Sequence, residues 1–282
     1  MSHKKDNLVV AFQGMPGAYS NMACEAYFPN AKTLPCNSFE DMLNSTKNAL
    51  SDYSMVPVEN SLAGRVADIH HLIPDSGLFI VGEHFQRVNH QLLGLKNSNL
   101  EDIETVKSHA QGLAQCRKFI SDHNLSPIQH IDTAGAAEEV SRLGDPKVAA
   151  IASEMASKIY NLKILKNDIE DAEHNTTRFL IMARKPNIPS VEIAKPVTTI
   201  IFEVRSVPAA LYKVLGGFAT NGINLTKLES YIGGKEMSAA RFYVDAEGHP
   251  DTKSMQNALE EMYFYSQPNS VKIIGTYSRE KN

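Results

Sequence analysis

From Leu8 to about Lys185, short apolar runs alternate with segments whose apolar residues recur every three or four positions. LVVAF (8–12) predicts a strand ending at Gly14, and YSMVPV (53–58) predicts another, with Pro57 limiting its ladder. Ser38, with Asp41 three residues later, has the form of a capping box and opens a helix. TVKSH (105–109) predicts a strand, followed by a helix over GLAQCRKFI that sets Leu113, Cys116 and Ile120 on one stripe. Asp132 caps a helix through Leu143, and VAAIA (148–152) and NTTRFLIMARK (175–185) predict strands. Strand and helix in alternation imply an α/β region with a mostly parallel sheet.

The pattern breaks at KPNIPSVEIAKP (185–196), which holds three prolines in twelve residues and no long periodic segment, so a domain boundary is expected there. Beyond it, VTTIIFEVR (197–205) alternates and places Thr198, Ile200, Phe202 and Val204 on one face. Ser206 is a candidate helix cap with Pro208 in the first turn, and Leu211, Val214, Leu215 and Phe218 form the buried stripe. Asn221–Gly222 ends that helix. INLTKLESYI and MSAARFYVDA predict strands joined through Gly233–Gly234, Asp251 is the candidate cap of a second helix, and VKIIGTY closes the sheet. The order βαββαβ is that of the ferredoxin-like motif.

Composition narrows the function. A net charge of −4, with acidic and basic residues interleaved, argues against a nucleic-acid partner, which needs clustered Lys and Arg. No stretch approaches the ~18 uncharged apolar residues of a membrane span, and no signal peptide is evident at the N-terminus, so a cytoplasmic protein is expected. Cys24, Cys36 and Cys116 are scattered, without a C-x-x-C, and read as buried thiols rather than disulfides or zinc ligands.

Four segments carry candidate chemistry. QGMPGAYS (13–20) is a glycine-bracketed loop before a helix, suited to an anion or equally an ordinary turn. VPVENSLAG (56–64) places Glu59, Asn60 and Ser61 just after a strand, where ligands meet open α/β sheets, or where a cap for a following helix would stand. SHAQGLAQC (108–116) sets His109 and Gln111 at a strand's C-terminal end, with a structural hydrogen-bonding role for His109 as the alternative. HNTTRF (174–179) brings Asn175, Thr176, Thr177 and Arg178 together before an apolar strand; Arg suits a carboxylate and Thr donates to an oxygen, unless Arg178 forms a surface pair. No nucleophile triad or metal-ligand spacing occurs. The result is a site for a small polar anion without a metal or cofactor, with the reaction left open.

Taken in order, GMPGAYS, VPVENSLAGRV, SHAQGLAQCRKF, DTAGAA (132–137), AAIAS (149–153) and NTTRF (175–179) resemble the motifs of prephenate dehydratases. The C-terminal unit, with PAALYKVLGGFATNGINLTKLES (208–230), resembles the ACT regulatory domain of that family. The resemblance implies a monofunctional enzyme with an α/β fold: a two-lobed, periplasmic-binding-protein-like catalytic domain (8–186) and a ferredoxin-like ACT domain (197–277). The implied reaction is loss of carbon dioxide and water from prephenate, giving phenylpyruvate, with no cofactor. Arogenate as substrate, and a cytosolic small-molecule sensor without turnover, are the alternatives.

The resemblance assigns Thr177 as the essential residue, a hydrogen-bond donor to the departing oxygen, with Arg178 on a substrate carboxylate. Glu59 or His109 would supply a proton if one is needed. The Gly14–Gly17 backbone would be a second anion contact, while Asn60, Ser61 and Gln111 orient the substrate beside Asn175 and Thr176. It also implies phenylalanine as effector, bound through Ala209, Ala210 and Leu211, with Asn224, Leu225, Glu229 and Ser230. Tyr231 and Ile232 stand where the family has Arg and Pro. A homodimer or homotetramer is implied, with neither nucleic acid nor membrane as partner.

Overall fold

The computed structural model describes residues 7–172, 174–233 and 239–280. The chain divides into two compact units, one of residues 1–69 and 84–179, the other of 70–83 and 180–282.

The first unit holds two lobes. The first lobe runs β1 (Val9–Gln13), α1 (Tyr19–Tyr27), β2 (Lys32–Cys36), α2 (Phe39–Lys47), β3 (Tyr53–Asn60) and the short β4 (Gly64–Arg65), leading into α3 (Ala67–Leu72). Strands β2 and β3 flank β1 in parallel, and β4 turns back antiparallel onto β3. Ser38 caps α2 as expected, its hydroxyl accepting from the Asp41 N–H at 3.0 Å. Strand β3 is two residues longer than its apolar run predicts, because Glu59 and Asn60 pair with Arg65 and Gly64. Glu59 and Asn60 therefore belong to the strand, and no helix begins at Ser61.

After β5 (Phe79–Arg87) the chain builds the second lobe. Its elements are β6 (Gln91–Gly94), β7 (Thr105–His109), α4 (Ala110–Gln115), α5 (Arg117–Asp122), β8 (Ser126–His130), α6 (Thr133–Leu143), β9 (Val148–Ala152), α7 (Glu154–Ile159) and β10 (Lys163–Lys166). The strand order is β10-β6-β9-β7-β8, parallel about β7 and antiparallel about β6. The single helix expected over 112–120 is two: the chain leaves helical geometry at Cys116 (φ −122°, ψ 26°). Leu113, Cys116 and Ile120 nonetheless share one apolar cluster. Small residues set the packing of α6, where Ala136 and Ala137 lie against Ala150, Ala152 and Ala156 with Leu93 and Val140. Asp132 caps α6, and Gly144 closes it in the left-handed conformation (φ 69°).

Strand β11 (Thr176–Ala183) leads on to the last unit: β12 (Pro196–Glu203), α8 (Ala210–Thr220), β13 (Leu225–Gly233), β14 (Ala239–Glu247), α9 (Lys253–Tyr265) and β15 (Lys272–Ser278). This is the expected ferredoxin-like βαββαβ order, with antiparallel neighbours β13-β14-β12-β15. Ile200, Phe202, Val244, Val214, Phe218, Met255 and Met262 fill its core. Both faces of β12 are buried, because Thr199 on the second face bonds the Asp245 carboxylate (2.7 Å) and the Tyr277 hydroxyl (3.1 Å). Two expected caps are corrected. Thr252, not Asp251, caps α9; and α8 starts at Ala210 behind a left-handed Ala209 (φ 60°), with no side-chain cap from Ser206. The turn bonds Val207 N–H to Arg205 O and Ala210 N–H to Val207 O delay that start. The hairpin glycine Gly234 lies outside the described residues. Among the described residues, no helix is long and apolar enough to cross a membrane.

Candidate functional site

A cavity of about 320 Å³ opens within the first unit. Gln13, Ala18, Tyr19, Ser20, Pro57 and Asn60 line it from the first lobe. His109, Gln111, Gln115, Ile131, Asp132 and Thr133 face it from the second, with Val88 and His90 from the crossing segment and Thr177 and Phe179 from β11. Five of the sequence-predicted residues thus meet on its wall: Gly14, Asn60, His109, Gln111 and Thr177.

The hydrogens of this wall can be placed from one side chain. Asn60 Oδ1 accepts the Leu62 and Ala63 N–H groups, at 3.0 and 2.8 Å, which only its carbonyl oxygen can do. Its amide nitrogen must then donate to Asn175 Oδ1 (2.8 Å) and to Thr177 Oγ1 (2.9 Å). The Thr177 oxygen is an acceptor toward Asn60, so its own hydrogen is left to donate into the cavity. The same logic continues through the buried Asn175, whose Nδ2 donates to Gln115 Oε1 at 3.0 Å. Gln115 Oε1 also lies 2.7 Å from His90 Nε2, which must carry the ring hydrogen. Burial pushes the His90 pKa down, so the ring is neutral and Nδ1 is an acceptor, 2.9 Å from the Tyr19 hydroxyl. The single Tyr19 hydrogen is shared between His90 Nδ1 and the Asn89 carbonyl oxygen at 2.7 Å. One chain of oriented bonds therefore runs from the hairpin amides to Tyr19.

The other predicted residues lie around this wall rather than on it. Ser61 fastens β3 to the entry of β11: its N–H donates to Thr176 O, its hydroxyl donates to His174 O, and it accepts from Thr176 N–H, at 2.9, 2.7 and 3.0 Å. Glu59 pairs with Arg65 in the hairpin register. Arg178 sits between the two lining residues Thr177 and Phe179, and strand alternation turns its buried side chain to the opposite face. His109 Nδ1 accepts from Gln111 N–H (3.2 Å), which leaves the ring hydrogen on Nε2 of this second imidazole of the wall.

The glycine loop serves packing. The Gly14 N–H donates to Cys36 O and the Gly17 N–H to Asn21 Oδ1, both at 3.0 Å, so neither is the anion contact expected from sequence. Gly17 sits at φ 89°, where a Cβ would stand 2.9 Å from Ala156 Cα, and its carbonyl accepts the Ser153 hydroxyl at 2.5 Å. Tyr160 donates to Pro16 O beside it at 2.9 Å. Gly17→Ala is expected to cost about 2 kcal/mol from backbone strain and overpacking, read as a lowered Tm with cooperative unfolding retained. An unchanged Tm would show that the lobes are not fastened here. The first turn of α1 borders the cavity through Ala18, Tyr19 and Ser20, and its N-cap Ala18 makes no side-chain cap bond.

Sequence reasoning missed Tyr19, His90 and Gln115. Tyr19 and Gln115 stand inside segments singled out for other residues. Gln115 lies four positions after Gln111, on the same helix face, which was the available signal. His90 carried none, being one polar residue before the apolar QLLG. Among the described residues no group of three or more His, Cys, Asp or Glu is arranged to hold a metal ion.

The family profile described as prephenate dehydratase matches residues 10–187. The chain is 45% identical over 269 residues to a bifunctional N-acyl-homoserine lactone acylase/prephenate dehydratase of Komagataeibacter europaeus, covering 95% of both. It is 38% identical over 277 residues to the chloroplastic arogenate dehydratase/prephenate dehydratase 2 of Arabidopsis thaliana, covering 95% of this chain and 72% of that one. Among solved structures, it is similar to the prephenate dehydratase of Arthrobacter aurescens in complex with L-Phe. That likeness has a TM-score of 0.87 at 26% identity, over 96% of this chain and 90% of that one. Matched over residues 10–187 by the family profile and almost end to end by its relatives, this chain belongs to the prephenate dehydratase family of hydro-lyases.

Proposed function

We propose that this chain converts prephenate to phenylpyruvate, with Thr177 as the donor that receives the leaving oxygen. The observation that carries the reading is the orientation of Thr177: with Asn60 donating to its oxygen, the hydroxyl hydrogen faces the cavity. In the reaction the ring carboxylate leaves as carbon dioxide, and its bonding pair enters the ring. The pair on the opposite carbon–oxygen bond departs with hydroxide, and aromaticity is restored. Negative charge grows on that oxygen, where one pre-placed donor lowers the barrier by about 3 kcal/mol. A proton converts hydroxide to water, and His109, through its Nε2, is the candidate donor. The first turn of α1 offers the substrate's carboxylates a positive dipole end and open N–H groups. Apolar Pro57, Val66, Val88 and Phe179 face the ring.

The assignment divides the protein into a catalytic domain (8–186) and an ACT regulatory domain (197–277) in a cytosolic homodimer or homotetramer. Phenylalanine is the effector, contacting Ala209 to Leu211, Asn224, Leu225, Glu229 and Ser230. The L-Phe complex of the Arthrobacter relative supports this. Tyr231, which has an edge-to-face contact with His71 at 5.8 Å, occupies the place of the family's Arg. Phenylalanine is therefore expected to bind more weakly than to a relative that keeps the Arg, by about tenfold for one lost charged hydrogen bond. Calorimetric titration with phenylalanine checks this, and affinity equal to such a relative's would contradict it.

The function is tested by supplying prephenate and arogenate separately and following phenylpyruvate and phenylalanine. Turnover of prephenate in preference to arogenate is expected. Preference for arogenate would change the substrate but keep the chemistry, and binding without turnover would make the chain a sensor. The 45% identity to a bifunctional relative favours one second reading, hydrolysis of an N-acyl-homoserine lactone amide. Mass spectrometry for free homoserine lactone and fatty acid decides it.

A further inference from the structure

Ile131 is 87% exposed, unlike the other large apolar side chains of the cavity wall, Val88 at 6% and Phe179 at 1%. It precedes Asp132, the N-cap of α6. An apolar residue at that place ordinarily packs back on the helix four positions into it, as a hydrophobic staple. Here that position is Ala136, fully buried in the lobe's core, and Ile131 stands away from it. Helix entry therefore does not explain the residue.

The corner that carries it is fixed on both sides. His130 Nδ1 lies 3.3 Å from the Asp132 N–H and 3.0 Å from the Asp132 carbonyl, bracketing the backbone of Ile131. The Asp132 carboxylate holds the Gly135 N–H at 2.5 Å, and a Cβ on Gly135 would stand 2.8 Å from the His130 ring. His130 is thus packed against the first turn of α6, and the side chain between it and the cap is pushed outward. Ile131 lines the 320 Å³ cavity and also a second cavity of about 450 Å³ that shares Gln13, Gly14 and Asp132 with it. It stands at the junction of the two.

We infer that Ile131 is a further substrate-binding residue: a rigidly presented apolar platform that covers the substrate's six-membered ring from the second lobe. This deepens the dehydratase reading and rests on it. The ring is the one large apolar part of an otherwise dianionic molecule. Its inner face meets Pro57, Val88 and Phe179, and Ile131 supplies the apolar surface at the mouth. The contact persists from bound substrate to transition state, so it governs KM and leaves kcat almost unchanged.

Steady-state kinetics of Ile131→Ala and Ile131→Leu, on the substrate the wild type prefers, test the inference. Since the side chain is 87% exposed, both variants are expected to melt with the wild type. Ile131→Ala is expected to raise KM about tenfold, from lost apolar burial, with kcat within about twofold, and Ile131→Leu to restore most of the affinity. A KM for Ile131→Ala within about twofold of wild type, with the wild type active, overturns the platform alone. An equal fall of kcat in both variants overturns it too, since that is a structural effect. A wild type that turns over neither prephenate nor arogenate removes the dehydratase reading and the platform together.

Discussion

Thr177→Ala is expected to lower kcat by about 10²–10³-fold, or ~3–4 kcal/mol, with KM changed by only a few fold. The loss falls on kcat because the hydroxyl bonds an oxygen that carries little charge in bound substrate and nearly a full charge as it leaves. Removing the hydroxyl also strands one hydrogen of the Asn60 amide, which now lies 2.9 Å from Thr177 Oγ1. Asn60 keeps its bonds to Asn175 and to the hairpin amides, so the fold is expected to survive and a thermal melt serves as control. Thr177→Ser keeps the donor but loses the β-branch that fixes its rotamer, and should recover activity to within about tenfold of wild type. Activity of the Ala variant within tenfold of wild type would remove Thr177 from the centre of the chemistry.

Why the place of Thr177 on the cavity wall was legible in the sequence, and its hydrogen-bond partners were not, follows from the range of the interactions. The motif around NTTRF, the caps at Ser38 and Asp132, the apolar run of β1 and the alternation in β12 are written within a few consecutive residues, where period and cap chemistry decide the outcome. Strand β3 outran its apolar pattern because its last two residues are held by pairing with β4, not by burial. The helix break at Cys116 is likewise set by packing, since that thiol is fully buried in the second lobe's core. The site's polar chain joins residues 60, 175, 115, 90 and 19 across separate elements, and no local pattern encodes that closure. Arg178 reads differently from its neighbours: a guanidinium beside two threonines suggests carboxylate binding, and strand alternation turns it to the face of β11 opposite Thr177.

The second large effect concerns the direction of that chain. Asn60→Asp replaces one nitrogen by oxygen at almost constant volume, keeps the acceptor for the Leu62 and Ala63 amides, and removes both donated bonds. The Thr177 hydroxyl then donates to the new carboxylate, and its hydrogen no longer faces the cavity. Asn175 Oδ1 meets a second acceptor where it now receives a hydrogen at 2.8 Å. Relief by turning the Asn175 amide over would set its oxygen against Gln115 Oε1, which already accepts from His90. Every group to Tyr19 would have to reverse, including the His90 tautomer. Asn60→Asp is therefore expected to lose kcat by about 10²–10³-fold, as severely as Thr177→Ala, and the double variant to lose little more, because both changes remove one functional unit. The sign of the pH response is also fixed. An Asp at 60 regains one hydrogen when protonated, so its residual kcat should rise as pH falls toward the carboxylate range, about 4 or higher once burial raises it. Additive losses in the double variant, or a residual rate that is flat with pH while the fold is retained, would show that Asn60 holds the hairpin without aiming Thr177.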